Sequence, residues 1–223
     1  MIDIIQVKNK TEGNLKAHDI LKKIVDAQTL LALSGGTSVD YRKILGKEKH
    51  IVPGAITIVD ERYGDPFHRN SNELLLKKQG VKDFADEYCI ESYKILSGNN
   101  FLETEKVYEK LVGELFKKFK KRVGIMGIGA NLHTAGVFPY SAALKSPDFV
   151  VAEVVDDKYP KRITLTLKAF GEFTSFIVLM FGQAKQKALT KLLDKNENDM
   201  QKYPAIFYRK TKAKVFLITD IKI

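Results

Sequence analysis

With 223 residues, 44% of them hydrophobic and 29% charged, the chain can build a sizeable core and lies far from the compositions of disordered or disulfide-stapled proteins. Lys and Arg outnumber Asp and Glu by 37 to 27, a net charge of +10 that admits nucleic acid, anionic lipid or phosphorylated metabolites as partners. No helix-turn-helix, zinc-finger or RNP-like pattern accompanies the basic residues, so nucleic acid is not expected, and a single cysteine, Cys89, excludes an intramolecular disulfide and a Cys-based zinc cluster.

The opening MIDIIQVKNK has a short apolar patch broken by Asp3, too short and polar for a signal peptide or a membrane span, so a soluble cytoplasmic protein with no membrane partner is expected. From Asn14 to Ala27, Leu15, Ile20, Leu21, Ile24 and Val25 recur at helical spacing and lead into the apolar run Leu30–Leu33, a buried strand. That strand ends on Ser34-Gly35-Gly36-Thr37, after which Val39–Leu45 can start a helix. Ala55–Val59 is a second buried strand, ending on Asp60-Glu61-Arg62. Asn70, Ser71 and Asn72 are candidate caps for a helix through Leu76. Tyr88-Cys89-Ile90 is strand-like, which makes Cys89 a buried structural thiol. A long helix follows from about Leu102 to Lys120. Its basic end, Lys117 to Arg122, is read as a solvated helix terminus where cations meet the negative end of the dipole.

Next come a strand at Arg122–Ile128 and a loop over Gly129–Gly136. Strand candidates at Phe149–Val155, Arg162–Leu167, Phe176–Phe181 and Val215–Thr219 complete the pattern, with a helix at Gln183–Leu193 before the last and a polar surface stretch from Asp194 to Tyr203. Strands alternating with helices imply an α/β fold whose mostly parallel sheet has helices on both faces. Without repeats or an evident linker, the whole chain, 1–223, is expected to form one domain.

In such sheets ligands bind beyond the carboxyl ends of the strands, where the polar clusters fall. Paired glycines and hydroxyls at Ser34–Thr37, followed by a helix start, suit an anion cradle, although the Gly-Lys-Ser/Thr ending of a Walker loop is missing and an ordinary tight turn is the simpler alternative. Three charges at Asp60-Glu61-Arg62, just past a buried strand, must face a polar cleft or pair with one another. In Gly127-Ile128-Gly129-Ala130-Asn131-Leu132-His133, Leu132 stands where a dinucleotide fingerprint needs a small residue, which argues against a nicotinamide. His133, in a loop at a strand's carboxyl end, is a candidate acid or base. His18, His50 and His68 share no ligand spacing with it, so no metal is expected.

Taken in order, LALSGGTS (31–38), DERY (60–63) with Ser71-Asn72, MGIGANLHTAGVFP (126–139), RITLTL (162–167), Gly182-Gln183-Ala184-Lys185, YPAIF (203–207) and VFLITD (215–220) resemble the 6-phosphogluconolactonase family, kin of the glucosamine-6-phosphate isomerases. The resemblance spans almost the whole chain. It implies a modified Rossmann-like fold, a phosphorylated sugar lactone as substrate and no cofactor, in a monomer or homodimer. It places the phosphate on Ser34, Gly35, Gly36 and Thr37, with Arg162 and Lys185 as cationic partners. His133 then activates the attacking water, Arg62 stabilises charge on the lactone oxygen, and Asp60 holds that arginine or its loop in place.

Two residues depart from the family's Asp-Gly-His pattern. Asn131 replaces the carboxylate, and in a serine-protease triad the comparable change costs roughly 10⁴ in turnover through loss of charge and the wrong imidazole tautomer. Leu132 replaces glycine, so it is expected either to narrow the site or to force another backbone path. Val39 stands where the family usually has proline, a change expected to affect helix entry. Lowered lactonase activity is the resulting expectation. The alternatives are a phosphosugar sensor without turnover and an aminosugar-6-phosphate isomerase/deaminase, the latter disfavoured because Gly136-Val137-Phe138-Pro139 offers no acidic residue after the histidine.

Overall fold

The structure, a computed structural model, describes residues 2–46 and 51–223; His50 lies outside the described residues. The first half runs β1 (Ile2–Gln6), α1 (Lys10–Ile24), β2 (Thr29–Leu33), α2 (Tyr41–Ile44), β3 (Ala55–Ile58), β4 (Asp60–Arg62), α3 (Asn72–Lys78), α4 (Val81–Glu87), β5 (Glu91–Ser92) and α5 (Phe101–Lys118). The second half runs β6 (Lys121–Gly127), β7 (Val150–Val154), β8 (Lys161–Leu165), α6 (Leu167–Gly171), β9 (Ser175–Met180), α7 (Gln186–Leu193), α8 (Phe207–Lys210) and β10 (Lys214–Thr219). Seven strands form a parallel sheet in the order β1-β10-β9-β6-β2-β3-β5. Every residue of β2 is buried, so both faces of the central sheet are covered, as the continuous apolar run predicts.

Between β2 and β6 the strand order reverses, and the carboxyl ends of these neighbours are in register, with Leu33 opposite Ile125. This switch point is where an open α/β sheet leaves a crevice. A second, antiparallel sheet, β4-β8-β7, stands over that end. The chain passes between sheets at a single residue: the Val59 N–H donates to the Leu33 carbonyl in the main sheet, while the Val59 carbonyl accepts from Leu165 N–H in the small one.

Helix α5 ties the two sheets together. Its N-terminus is closed by a capping box between Asn100 and Glu103. Two turns on, the buried Tyr108 hydroxyl bonds the Thr57 hydroxyl at 2.8 Å and donates to the Ile58 carbonyl, anchoring the helix to β3. Glu109 accepts from the N–H of Val150 at 2.6 Å and Glu105 from that of Ala152 at 2.8 Å. These carboxylates satisfy donors that an edge strand such as β7 would otherwise leave open.

Several expectations are corrected. Asp60-Glu61-Arg62 is not the tail of the second strand but a strand of the small sheet. Cys89 is exposed, in a turn with φ of 53°, because the chain ends α4 there rather than entering a strand. Arg122 is not solvated: it is buried and donates to the carbonyls of Phe116, Phe119 and Glu172, capping the end of α5. The helix expected from Val39 is a single turn starting at Tyr41, so no helix N-terminus abuts Gly35-Gly36. Strand β1 and helix α4 went unread.

Candidate active site

A cavity of about 400 Å³ opens at the carboxyl ends of β2 and β6, beneath the small sheet. It is lined by all of the singled-out residues Ser34–Thr37, Asp60, Arg62, His133, Arg162 and Lys185, which the fold thus gathers from five separate segments. Asn131 reaches the site through His133. Asn72, read from the sequence as a candidate cap and as part of the resemblance but not as a site residue, also lines it, as do Asp157, Lys158 and Tyr159, which the sequence did not single out.

At the floor lies the glycine turn. Among the described residues, the N–H groups of Gly35, Gly36 and Thr37 have no protein partner, while Ser34 N–H is spent on the Ile125 carbonyl at 3.0 Å. Gly36 has φ of 106°, which a side chain would strain. Gly35 is required for space, since a Cβ there would come within 2.0 Å of Asn72 Oδ1. The buried Asn14 holds the far end of the turn, its amide donating to the Ser38 carbonyl and accepting from Asp40 N–H. Lys185, half-buried in the 3₁₀ turn before α7, reaches across from β9 to Ser38 Oγ at 3.1 Å; burial pulls its pKa down. The cradle is therefore made by unpaired amides and a lysine, without the helix dipole expected from the sequence.

Strand alternation sorts the DER triplet. Asp60 and Arg62 face the cavity, while Glu61 points the other way and accepts the N–H groups of Asn72 and Glu73 at 2.7 and 2.8 Å at the start of α3. Burial pushes the Glu61 carboxyl up to about 8. Ser71 is the cap of that helix, accepting from Leu74 N–H. Asp60 does not pair with Arg62; its ion partner is Arg162, 3.6 Å away on the adjacent strand. Burial raises the Asp60 carboxyl despite the two nearby guanidinium groups. Arg162 is also held by Asp157 at 2.6 Å and by the Tyr159 carbonyl at 2.8 Å. Arg62 instead donates to the Asn70 carbonyl at 2.8 Å.

The histidine loop is pinned from three sides. Thr134 Oγ1 bonds the Tyr208 hydroxyl at 2.7 Å, Gly136 N–H donates to Thr164 Oγ1 at 3.1 Å, and Ala205 N–H donates to the Leu132 carbonyl at 2.9 Å. These contacts hold Leu132 and Ala135 at φ of 64° and 51°, conformations that non-glycine residues rarely take. Leu132 thus keeps the left-handed conformation that suits a glycine, and its side chain is buried in the core rather than lining the cavity. It does not narrow the site.

His133 stacks on Phe138 with 4.4 Å between ring centres and an interplanar angle of 9°. The ring also lies close against Gly129, where a Cβ would come within 2.1 Å of it. Asn131 Oδ1 lies 2.5 Å from His133 Nδ1 and also accepts the His133 backbone N–H at 3.1 Å. An atom facing a main-chain N–H must be the amide oxygen, so the ring nitrogen beside it carries the proton. Nε2 is then the basic nitrogen, and it has no partner among the described residues. Burial, and then Arg162 ahead of Lys185 and Arg62, pulls the pKa of His133 down to about 4.

Among the described residues, no group of three or more His, Cys, Asp or Glu could hold a metal, and no helix is long and apolar enough to cross a membrane. The model of the family described as glucosamine-6-phosphate isomerases/6-phosphogluconolactonase matches residues 14–217. The chain belongs to this family. It is 28% identical over 191 residues to the 6-phosphogluconolactonase of Nostoc sp., covering 79% of this chain and 76% of that one. The fold is shared with a 6-phosphogluconolactonase from Shewanella baltica, at a TM-score of 0.79 and 20% identity over 98% of this chain and 97% of that one. It is shared equally with a monomeric glucosamine-6-phosphate deaminase, at a TM-score of 0.77 and 20% identity over 97% of each. Both branches of the family thus have this fold, and the choice between them rests on the site.

Proposed function

We propose that the protein hydrolyses 6-phosphoglucono-δ-lactone to 6-phosphogluconate, a step of the pentose phosphate pathway, with no cofactor. The observation that carries this reading is His133, oriented through Nδ1 by Asn131, with an unpartnered Nε2 in a cavity that also holds a phosphate-sized set of free amides and cations. The substrate phosphate lies on Ser34–Thr37 with Lys185 and Arg162. Nε2 takes a proton from water as the water oxygen bonds to the lactone carbonyl carbon. Arg62 stabilises the resulting oxyanion. Collapse breaks the carbon to ring-oxygen bond, and the imidazolium returns its proton to the leaving oxygen.

A histidine held near 4 is fully neutral at physiological pH yet weakly basic. Burial is the larger cause of that depression; of the cations that add to it, Arg162 and Lys185 face the bound phosphate, and a dianion beside them offsets their part.

Phe138 separates this reading from the aminosugar isomerase. Its ring occupies one face of the imidazole, and the loop from Thr134 to Pro139 contains no carboxylate for ring-opening chemistry.

The test is hydrolysis of freshly made lactone, corrected for spontaneous opening. Turnover by the wild type should fall ~10²- to 10⁴-fold in His133→Ala. Equal rates for the two would overturn the assignment, and binding of 6-phosphogluconate without turnover would make the protein a phosphosugar sensor instead.

A further inference from the structure

The two arginines of the site belong to neighbouring strands, yet one residue outside both strands touches each of them. Tyr159 sits in the tip between β7 and β8, and the tip is fixed internally: Val155 N–H donates to the Pro160 carbonyl, and Tyr159 N–H donates to Asp157 Oδ2. From this position its carbonyl accepts Arg162 Nε–H at 2.8 Å. The face of its ring lies 5.6 Å from Arg62 Cζ, within the range where a guanidinium is drawn to an aromatic quadrupole. Its hydroxyl reaches Asn70 Oδ1 at 3.3 Å, and the carbonyl of that same Asn70 accepts Arg62 Nη1–H. Ring, hydroxyl and Asn70 thus form a closed circuit around Arg62, whose Nε is buried and makes no hydrogen bond.

We propose that Tyr159 is a positioning residue that aims Arg62 at the reacting end of the substrate. Arg62 has no carboxylate partner among the described residues, in contrast to Arg162 with Asp60 and Asp157. Among the described residues, one main-chain carbonyl and the Tyr159 ring define its direction. The two arginines depend on Tyr159 through different atoms. Arg162 uses the main-chain carbonyl, which any side chain retains, whereas Arg62 uses the ring. Substitution of the side chain should therefore act on Arg62 and spare Arg162.

The kinetic arm rests on the lactonase reading. Tyr159→Leu should lower kcat roughly 10-fold, less than the ~10²-fold cost of deleting an oxyanion donor outright, with KM within about 2-fold because the phosphate contacts persist. Tyr159→Phe, which keeps the ring, should retain most of kcat. Wild-type kcat in Tyr159→Leu, or a rise in KM matching that of Arg162→Ala, would overturn the proposal, the latter by showing that the tip has merely collapsed.

A second arm is independent of substrate. In ligand-free protein, the order parameter of the Arg62 Nε–H, assigned by its loss in Arg62→Lys, should fall in Tyr159→Leu as the ring that confines the side chain is removed, while that of Arg162 stays in place. An unchanged Arg62 order parameter would refute the positioning role even if the lactone is hydrolysed. A lowered one would uphold it even if the lactone is not the substrate.

Discussion

The glycine turn at Ser34–Thr37 and the histidine loop at Gly129–Phe138 share one cavity but are built on opposite plans. The turn offers main-chain donors that nothing among the described residues fills, and it is held at its two ends, at Ser34 by the Ile125 carbonyl and the Tyr41 hydroxyl and at Ser38 by Asn14 and Lys185. The loop spends most of its main-chain N–H groups on itself or its surroundings, and hydrogen bonds with Tyr208, Thr164 and Ala205 hold two non-glycine residues at positive φ. Unpaired amides suit recognition, because an arriving anion satisfies groups that water would otherwise serve. Constrained backbone suits chemistry, where about 1 Å of misplacement of a reacting group can cost ~10² in rate.

If this division is real, the largest substitutions should separate kcat from KM. His133→Ala should remove ~10²-fold or more of turnover while leaving the affinity for 6-phosphogluconate near that of wild type. Lys185→Ala should do the reverse, weakening phosphosugar binding by roughly 10- to 100-fold, as loss of a charge-assisted contact does. Steady-state kinetics and product titration by calorimetry would check both. A loss of product affinity in His133→Ala equal to that in Lys185→Ala would erase the distinction between the regions.

The turn was legible because it is local: strand, two glycines and hydroxyls lie within six residues. His133 was legible by its place after a buried strand. What escaped were features made by distant pairing. The three-residue β4 pairs with β8 about a hundred residues later, and nothing in Asp60-Glu61-Arg62 announces a strand. Asp157 and Tyr159 went unnoticed for the same reason, since their segment is an unremarkable polar turn until β8 brings it over Arg62. Strand β1 was missed because only Ile2 and Ile5 are even partly buried and its partner β10 lies more than two hundred residues later. The composition of the Lys117–Arg122 run hid the one arginine that turns inward.

Asn131→Asp sharpens the comparison at a smaller scale, since it alters charge within the loop and leaves the turn untouched. Asn131 already sets the proton on Nδ1, so the substitution adds only a carboxylate beside a ring that becomes positive during catalysis. A nearby anion raises the pKa of His133 above about 4. The sign follows directly: the base is active when unprotonated, so the acid limb of kcat/KM should move to higher pH. The plateau kcat should rise roughly 10-fold as the imidazolium is stabilised. An acid limb that stays in place in the variant would mean that another group controls the rate.

Leu132→Gly should have the smallest effect on activity. Restoring glycine relieves a left-handed leucine, worth about 1 kcal/mol, but removes a fully buried side chain whose loss costs about 2 to 5 kcal/mol. The balance is destabilising, by about 1 to 4 kcal/mol, and should appear as a lowered denaturation midpoint. Turnover of the folded protein should stay within about 2-fold of wild type, because the side chain points away from the cavity and the hydrogen bonds that fix the loop are main-chain or come from other residues. A large gain in kcat on restoring glycine would show that the leucine does constrain the catalytic loop, and the loop would then owe its rigidity to residue 132 as much as to Tyr208 and Thr164.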